Sequence, residues 1–104
     1  MVLKAAFMFV ASDADPIQHR SVVSTSEVIL TVVGVADYQM ACETAKKLVA
    51  EGIEAIELCG GFGIEGTAAV KQAVAGEAVV GVVRFDTHPG LGSRSGDEFF
   101  SRSR

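Results

Sequence analysis

The segment RFDTHPG, residues 84 to 90, holds three side chains that could do chemistry. Arg84 can bind a carboxylate or phosphate through paired hydrogen bonds, Asp86 can act as a base, and His88 can act as an acid–base group. A structural interpretation is equally open: Arg84 would pair with Glu57 on a neighbouring strand, and His88 would belong to an ordinary turn. Asp86 and His88 supply only two metal ligands, and a third would have to come from Asp13, Asp37 or Glu57, so we predict no metal site. The sequence leaves any cofactor unknown.

The segment IELCGGFGIEG, residues 56 to 66, predicts a strand, a glycine-rich turn and the start of a helix. Free amides at a helix N-terminus favour an anion, and glycines allow close approach. The spacing matches neither the dinucleotide-binding nor the P-loop pattern. The alternative is a turn whose glycines serve geometry alone. On the binding interpretation, the candidate ligand-binding residues are Gly60, Gly61, Phe62, Gly63, Arg84 and Asp13.

Cys59 follows the predicted strand and precedes the helix, a position that can lower the pKa of a thiol. A cysteine nucleophile also needs a base, and the chain contains only His19 and His88. Free cysteine is also among the most buried residue types, so we favour packing as the role of Cys59. If the protein is an enzyme, the candidate catalytic residues are His88, Asp86 and Cys59.

Four apolar runs predict the strands that position these residues. They are rich in Val, Ile and Phe, which is typical of strands buried on both faces of a parallel sheet. We expect helices between them, two of them ending at glycines. The predicted strands are residues 4–10, 28–35, 53–59 and 79–85, and the predicted helices are 16–23, 37–51 and 63–75.

The predicted fold is α/β, with the order βαβαβαβ and a mainly parallel four-stranded sheet, either a half-barrel or a small open sheet. By the crossover rule, the first, third and fourth strands should lie centrally and the second at an edge. The chain should form one domain over residues 1–104, with 86–104 a loop and tail rich in glycine and serine. Phe99 and Phe100 interrupt that tail. Such a pair usually docks on its own core or on that of a neighbouring chain, and only occasionally marks a ligand lid.

Ligands of parallel α/β sheets bind outside the carboxyl ends of the strands. In this chain that rule gathers Ser12 and Asp13, then Asp37, then the loop 59–63, and finally the segment 84–88. We therefore expect one pocket with the loop amides on one wall and Arg84, Asp86 and His88 on the other. This topological argument carries more weight than any single motif.

Composition limits the choice of partners. The formal charge of −4 argues against nucleic acid, whose phosphates are bound by clustered Lys and Arg. The N-terminal apolar run is too short for a membrane span, and two cysteines without close spacing fit a reducing cytoplasm. A small sheet leaves exposed edges, so we expect a homo-oligomer, most simply a dimer.

The motifs IELCGGFG and GVVRFDTHPG, together with the start KAAFMFVA and the segment ADPIQHR, resemble those of a family of small bacterial and archaeal proteins. These proteins are about a hundred residues long, and the family is known as a domain of unknown function. The resemblance covers residues 3 to 100 and implies a single compact α/β domain. It implies no activity, so no catalytic residue is carried over from it.

Three functions remain open at this point. The first is a module that binds an anionic small molecule, a carboxylate or phosphate, at the strand ends. The second is a small enzyme, a lyase, isomerase or hydrolase, that uses Asp86, His88 or Cys59. The third is a protein whose glycines only build turns and whose role is assembly.

Overall fold

The computed structural model describes residues 1–101 of the chain. Within them, five strands form one sheet, and two long helices and a short C-terminal helix accompany it. The elements are β1 Leu3–Val10, β2 Arg20–Ser24, β3 Val28–Val35, α1 Tyr38–Ala50, β4 Ala55–Leu58, α2 Ile64–Val74, β5 Val79–Val82, a 3-10 turn Pro89–Leu91 and α3 Asp97–Phe100. The last three residues of the predicted tail, 102–104, lie outside the described part.

The sheet is open and has the strand order β2-β3-β1-β4-β5. Strands β3, β1, β4 and β5 are parallel, which confirms a mainly parallel α/β fold. The predicted count of four strands is wrong, because β2 adds an antiparallel strand beside β3. The predicted strand order is wrong in part. Strand β5 lies at an edge and not centrally, and β3, which was predicted at an edge, lies between β2 and β1.

The predicted helix over residues 16–23 is the main error of the sequence analysis. Asp15 Oδ1 accepts a hydrogen bond from the Ile17 amide at 3.0 Å, and the Asp15 amide donates to His19 Nδ1 at 2.9 Å. These local bonds close a turn and not a helix, a known competition for Asp side chains. The chain after His19 instead pairs with the free edge of β3 and satisfies its backbone groups there.

The two long helices agree with the predicted ranges to within about one residue. Asp37 caps α1, since its side chain accepts a hydrogen bond from the Met40 amide at 2.8 Å. Gly52, with φ of +98°, follows the end of α1 in a conformation that favours glycine. Helix α2 ends at Val74, and the two residues that follow it, Ala75 and Gly76, both have positive φ.

Both long helices pack on the same face of the sheet. Alternate strand residues point to that face, among them Met8, Val33 and Ile56, and they share one buried core with Leu48 of α1 and Val70 of α2. The C-terminal segment closes one end of this core through Phe100, as expected for a docked aromatic. In residues 1–101, no helix combines the length and apolar composition needed to cross a membrane.

Candidate functional site

A cleft of about 350 Å³ opens at the carboxyl ends of β1 and β4. It brings together residues that the sequence analysis selected from three separate segments: Ser12 and Asp13, Cys59 and Gly61, and His88. The remaining lining residues are Val10, Ala11, Gly90, Leu91 and Phe100. The cleft lies where the strand-end rule for parallel sheets expects a ligand.

The turn after β1 forms one rim of the cleft. The Ala11 amide donates to Val35 O at 2.9 Å, and the Ala14 amide donates back to Ala11 O at 2.9 Å. This turn leaves Ser12 and Asp13 exposed at its tip. Within residues 1–101, the amides of Ser12 and Asp13 donate to no protein acceptor, so both remain available as hydrogen-bond donors.

His88 lies on the cleft and is held by its own turn. Its Nδ1 accepts a hydrogen bond from the Gly90 amide at 3.0 Å, and its backbone pairs with Arg94. The ring lies 4.8 Å from the ring of Phe85 between centroids. Because Nδ1 is an acceptor, the neutral imidazole carries its proton on Nε2. His88 can therefore offer an N–H donor to a ligand.

Cys59 forms part of the cleft wall where β4 ends. Its amide donates to Met8 O at 3.0 Å, and its Sγ accepts a hydrogen bond from the Gly61 amide at 3.3 Å. The side chain is half-buried and packs against the core. Its surroundings support the packing role that the sequence analysis favoured, and they also place the thiol in the same cleft as His88.

The N-terminus of α2, the expected anion site, is occupied by a carboxylate of the chain itself. The Asp97 carboxylate accepts hydrogen bonds from the Glu65 amide at 3.0 Å and the Gly66 amide at 3.2 Å. The Tyr38 hydroxyl lies beside it, 2.9 Å from Asp97 Oδ1, and accepts from the Gly63 amide at 3.0 Å. An anion does bind this helix end, but it comes from α3.

Tyr38 is held in its neutral form by this environment. Burial raises the pKa of its hydroxyl well above the ordinary value, and the hydrogen bond to Asp97 raises it further, whereas the Gly63 amide lowers it. The ring stacks on Phe62 at 5.4 Å between centroids. A neutral Tyr38 hydroxyl remains a donor to Asp97 over the ordinary pH range.

The glycines around this network give room for it. A Cβ atom on Gly66 would overlap the Tyr38 ring, and one on Gly63 would overlap the Asp97 carboxyl group. A Cβ atom on Gly96 would overlap the carbonyl oxygen of Gly61. The backbones of the glycine-rich loop and of the C-terminal segment therefore lie so close together that these positions have no room for a side chain.

Arg84 and Asp86 lie away from the cleft. Arg84 Nε pairs with Asp86 Oδ1 at 2.9 Å, and both side chains are largely exposed. The structural interpretation that paired Arg84 with Glu57 is therefore wrong, because the partner is Asp86. Arg84 lines a second, smaller groove of about 180 Å³, together with Phe62, Gly63, Ile64, Thr67 and Val82.

The residues predicted to line one pocket are thus divided between the cleft and the second groove. Gly60 and Asp86 line neither the cleft nor the second groove, and Gly60 lies against the Phe85 ring. In the part of the chain that the structure describes, no three His, Cys, Asp or Glu side chains are grouped so as to hold a metal ion.

Three functional candidates of these sites escaped the sequence analysis: Tyr38, Asp97 and Leu91. Phe100 was expected chiefly to dock on a core, and it is buried and also lines the cleft. Tyr38 is the single tyrosine of the chain and directly follows a helix cap, which could have drawn attention to it. No local pattern links Asp97 to α2, because 31 residues separate it from Gly66.

A family model described as a family of unknown function (DUF6506) matches residues 3–98. The chain therefore belongs to this family, and the resemblance seen in its motifs is confirmed. No curated protein and no solved structure matches the chain.

Proposed function

We propose that this member of the DUF6506 family binds a small molecule in the cleft at the carboxyl ends of β1 and β4. One observation carries the proposal: the fold brings Asp13, Cys59 and His88 to the wall of a single cleft, although 75 residues separate the first from the last. The volume of about 350 Å³ lies at the lower end of the range for small-molecule sites.

The lining favours a ligand with an apolar body and one anionic group. Val10, Leu91 and Phe100 offer apolar contact. The hydrogen-bond donors that the lining residues offer are His88 Nε2 and the amides of residues 12 and 13, which suit an anion. These donors replace Arg84 and the glycine-loop amides in the role that the sequence analysis assigned to them.

The negative charge of Asp13 at the rim of the cleft further limits the class of ligand. Asp13 carries the one carboxylate among the lining residues, and like charges repel at short distance. A second negative charge on the ligand would therefore weaken binding. We propose a monocarboxylate in preference to a phosphate.

Thiol chemistry is the second candidate, because Cys59 and His88 line the same cleft. A nucleophilic Cys59 would be alkylated by iodoacetamide with a pH dependence that changes in His88→Gln. A thiol that only packs would react slowly and equally in both proteins.

Binding can be tested by thermal shift and calorimetry with panels of monocarboxylate, dicarboxylate and phosphorylated metabolites. We expect monocarboxylates to raise the Tm of the wild-type protein. Leu91→Trp should abolish the shift by filling the cleft, and His88→Leu should weaken it by removing the N–H donor. Val82→Trp, in the second groove, is the matched control and should keep the shift.

Two results would contradict the proposal. One is the absence of stabilisation by every ligand in the panels. The other is unchanged binding by Leu91→Trp with a folded circular dichroism spectrum, because that would place the ligand outside the cleft.

A further inference from the structure

The face of the sheet opposite the long helices is apolar. Strand side chains alternate between the two faces, so the neighbours of the core residues point to this second face. The strand register places them side by side, with Phe7 between Val32 and Glu57, and Ala5 between Leu30 and Ala55. We call this surface the open face; its residues are Leu3, Ala5, Phe7, Phe9, Ser21, Val23, Val28, Leu30, Val32, Gly34, Ala55, Glu57, Val79 and Gly81.

Large aliphatic side chains of the open face are exposed to solvent. Leu3 is 42% exposed, Val23 57% and Val79 70%. The phenylalanines of β1 and the aliphatic residues of β3 on this face are partly exposed and lie outside the buried core. A contiguous apolar surface of this kind marks an interaction site more often than it marks a bare monomer.

We propose that a second copy of this chain covers the open face. The strands have eight, five, eight, four and four residues in the order β1 to β5. With about 4.8 Å between strands and about 3.3 Å per residue, they span about 460 Å² of flat area, of which the corner at Gly34 is covered by Ala14. Two copies together would cover at most about 900 Å² of flat area. The relief of the side chains adds to this and brings the accessible area near the roughly 1,000 Å² that specific interfaces need.

The scarcity of charged residues on the open face favours a second copy of the chain, and not a membrane surface, as the partner that covers it. Among the strand residues of the open face, Glu57 is the one charged residue, and none is basic. Binding to anionic lipid relies on Lys and Arg, and this chain has a net charge of −4. An almost uncharged, flat surface can instead meet its own copy about a two-fold axis with little repulsion.

Glu57 indicates where on the face the contact is closest. It lies on β4 opposite Gly81 of β5, and the space above Gly81 is open. The carboxylate can extend over Gly81 towards the sheet edge and stay in water, as long side chains do at interfaces. The centre of the interface therefore lies over β2, β3 and β1, and β5 lies at its rim.

The test uses pairs of neighbouring residues on opposite faces. Val22 and Val23 are 52% and 57% exposed, but Val22 is opposite Thr31 on the helix side and Val23 is opposite Leu30 on the open face. Val23→Lys should weaken a dimer by about tenfold or more by placing a charge in the contact, whereas Val22→Lys should leave it unchanged. Val79→Lys, at the rim, should have a smaller effect than Val23→Lys.

Sedimentation at micromolar concentrations measures the outcome, with circular dichroism to confirm that each variant is folded. We expect wild type at twice the 10.9 kDa chain mass. A monomeric wild type would overturn the proposal, as would a dimer that survives Val23→Lys, since that dimer would pair through a sheet edge. The cleft lies at the strand ends, so these results are independent of ligand binding there.

Discussion

The N-terminus of α2 and the cleft at the ends of β1 and β4 differ in whether their hydrogen-bond donors have a partner within the chain. At the N-terminus of α2, amides and the Tyr38 hydroxyl are bound by the Asp97 carboxylate. At the cleft beside it, the amides of residues 12 and 13 and Nε2 of His88 have no such internal partner in the described chain. The glycine-rich loop, which looks most like a ligand site in the sequence, is therefore built into the fold, whereas the donors at the cleft have no partner within residues 1–101.

The largest effect should come from removing the internal anion. Asp97→Ala removes the acceptor of two amides and the nearer acceptor of the Tyr38 hydroxyl, which is left with a longer bond of 3.3 Å to Gly61 O. It should lower the free energy of unfolding by about 2–3 kcal/mol. Asp97→Asn keeps one acceptor oxygen and should cost about 1 kcal/mol. Urea denaturation measures both values.

Rescue of Asp97→Ala by a small carboxylate would test directly whether the N-terminus of α2 binds an anion. Acetate should raise the Tm of Asp97→Ala by occupying the emptied helix end, and it should do so less in Asp97→Asn, which still fills that position. If Asp97→Ala were as stable as wild type, the carboxylate would not be the partner on which this helix end depends.

The ionisation of Tyr38 should have a smaller effect, confined to alkaline pH. Its pKa is raised in the folded protein, chiefly by burial, so folding favours the neutral form. The stability from this preference is complete below the unfolded pKa of about 10 and is lost progressively as the pH rises above it. Tyr38→Phe, which cannot ionise, should lose stability less steeply over that range.

The ultraviolet absorbance of tyrosinate reports this titration directly, because Tyr38 is the single tyrosine of the chain. Folded protein should show tyrosinate only at a pH clearly above that of urea-unfolded protein. Titration at the same pH in both states would contradict the burial of this hydroxyl.

The smallest effect should follow Cys59→Ser. The thiol is half-buried and accepts one long hydrogen bond, so its replacement should cost no more than about 1 kcal/mol of stability. Ligand affinity should change little, because the proposed donors come from His88 and the turn after β1. Loss of all binding or turnover at an unchanged Tm would instead make Cys59 a functional thiol.

The sequence by itself determined the elements whose signals are local. Alternating and apolar runs predicted four of the strands, and the cap at Asp37 and the glycine at 52 predicted both ends of α1. The strand-end rule also selected Asp13, Cys59 and His88, since a parallel sheet brings the carboxyl ends of its strands to one edge. These inferences need only neighbouring residues and a topology.

The tertiary structure decided which distant group satisfies each polar atom. Residues 20–24 became a strand because the edge of β3 was available to them, although the preceding Asp-Pro pair is typical of a helix start. The α2 amides took Asp97 as their anion, and the Tyr38 hydroxyl, 59 residues away from Asp97, donates to the same carboxylate. Many donors and acceptors in the chain are chemically equivalent, and only packing of the whole chain brings a particular pair within hydrogen-bond distance.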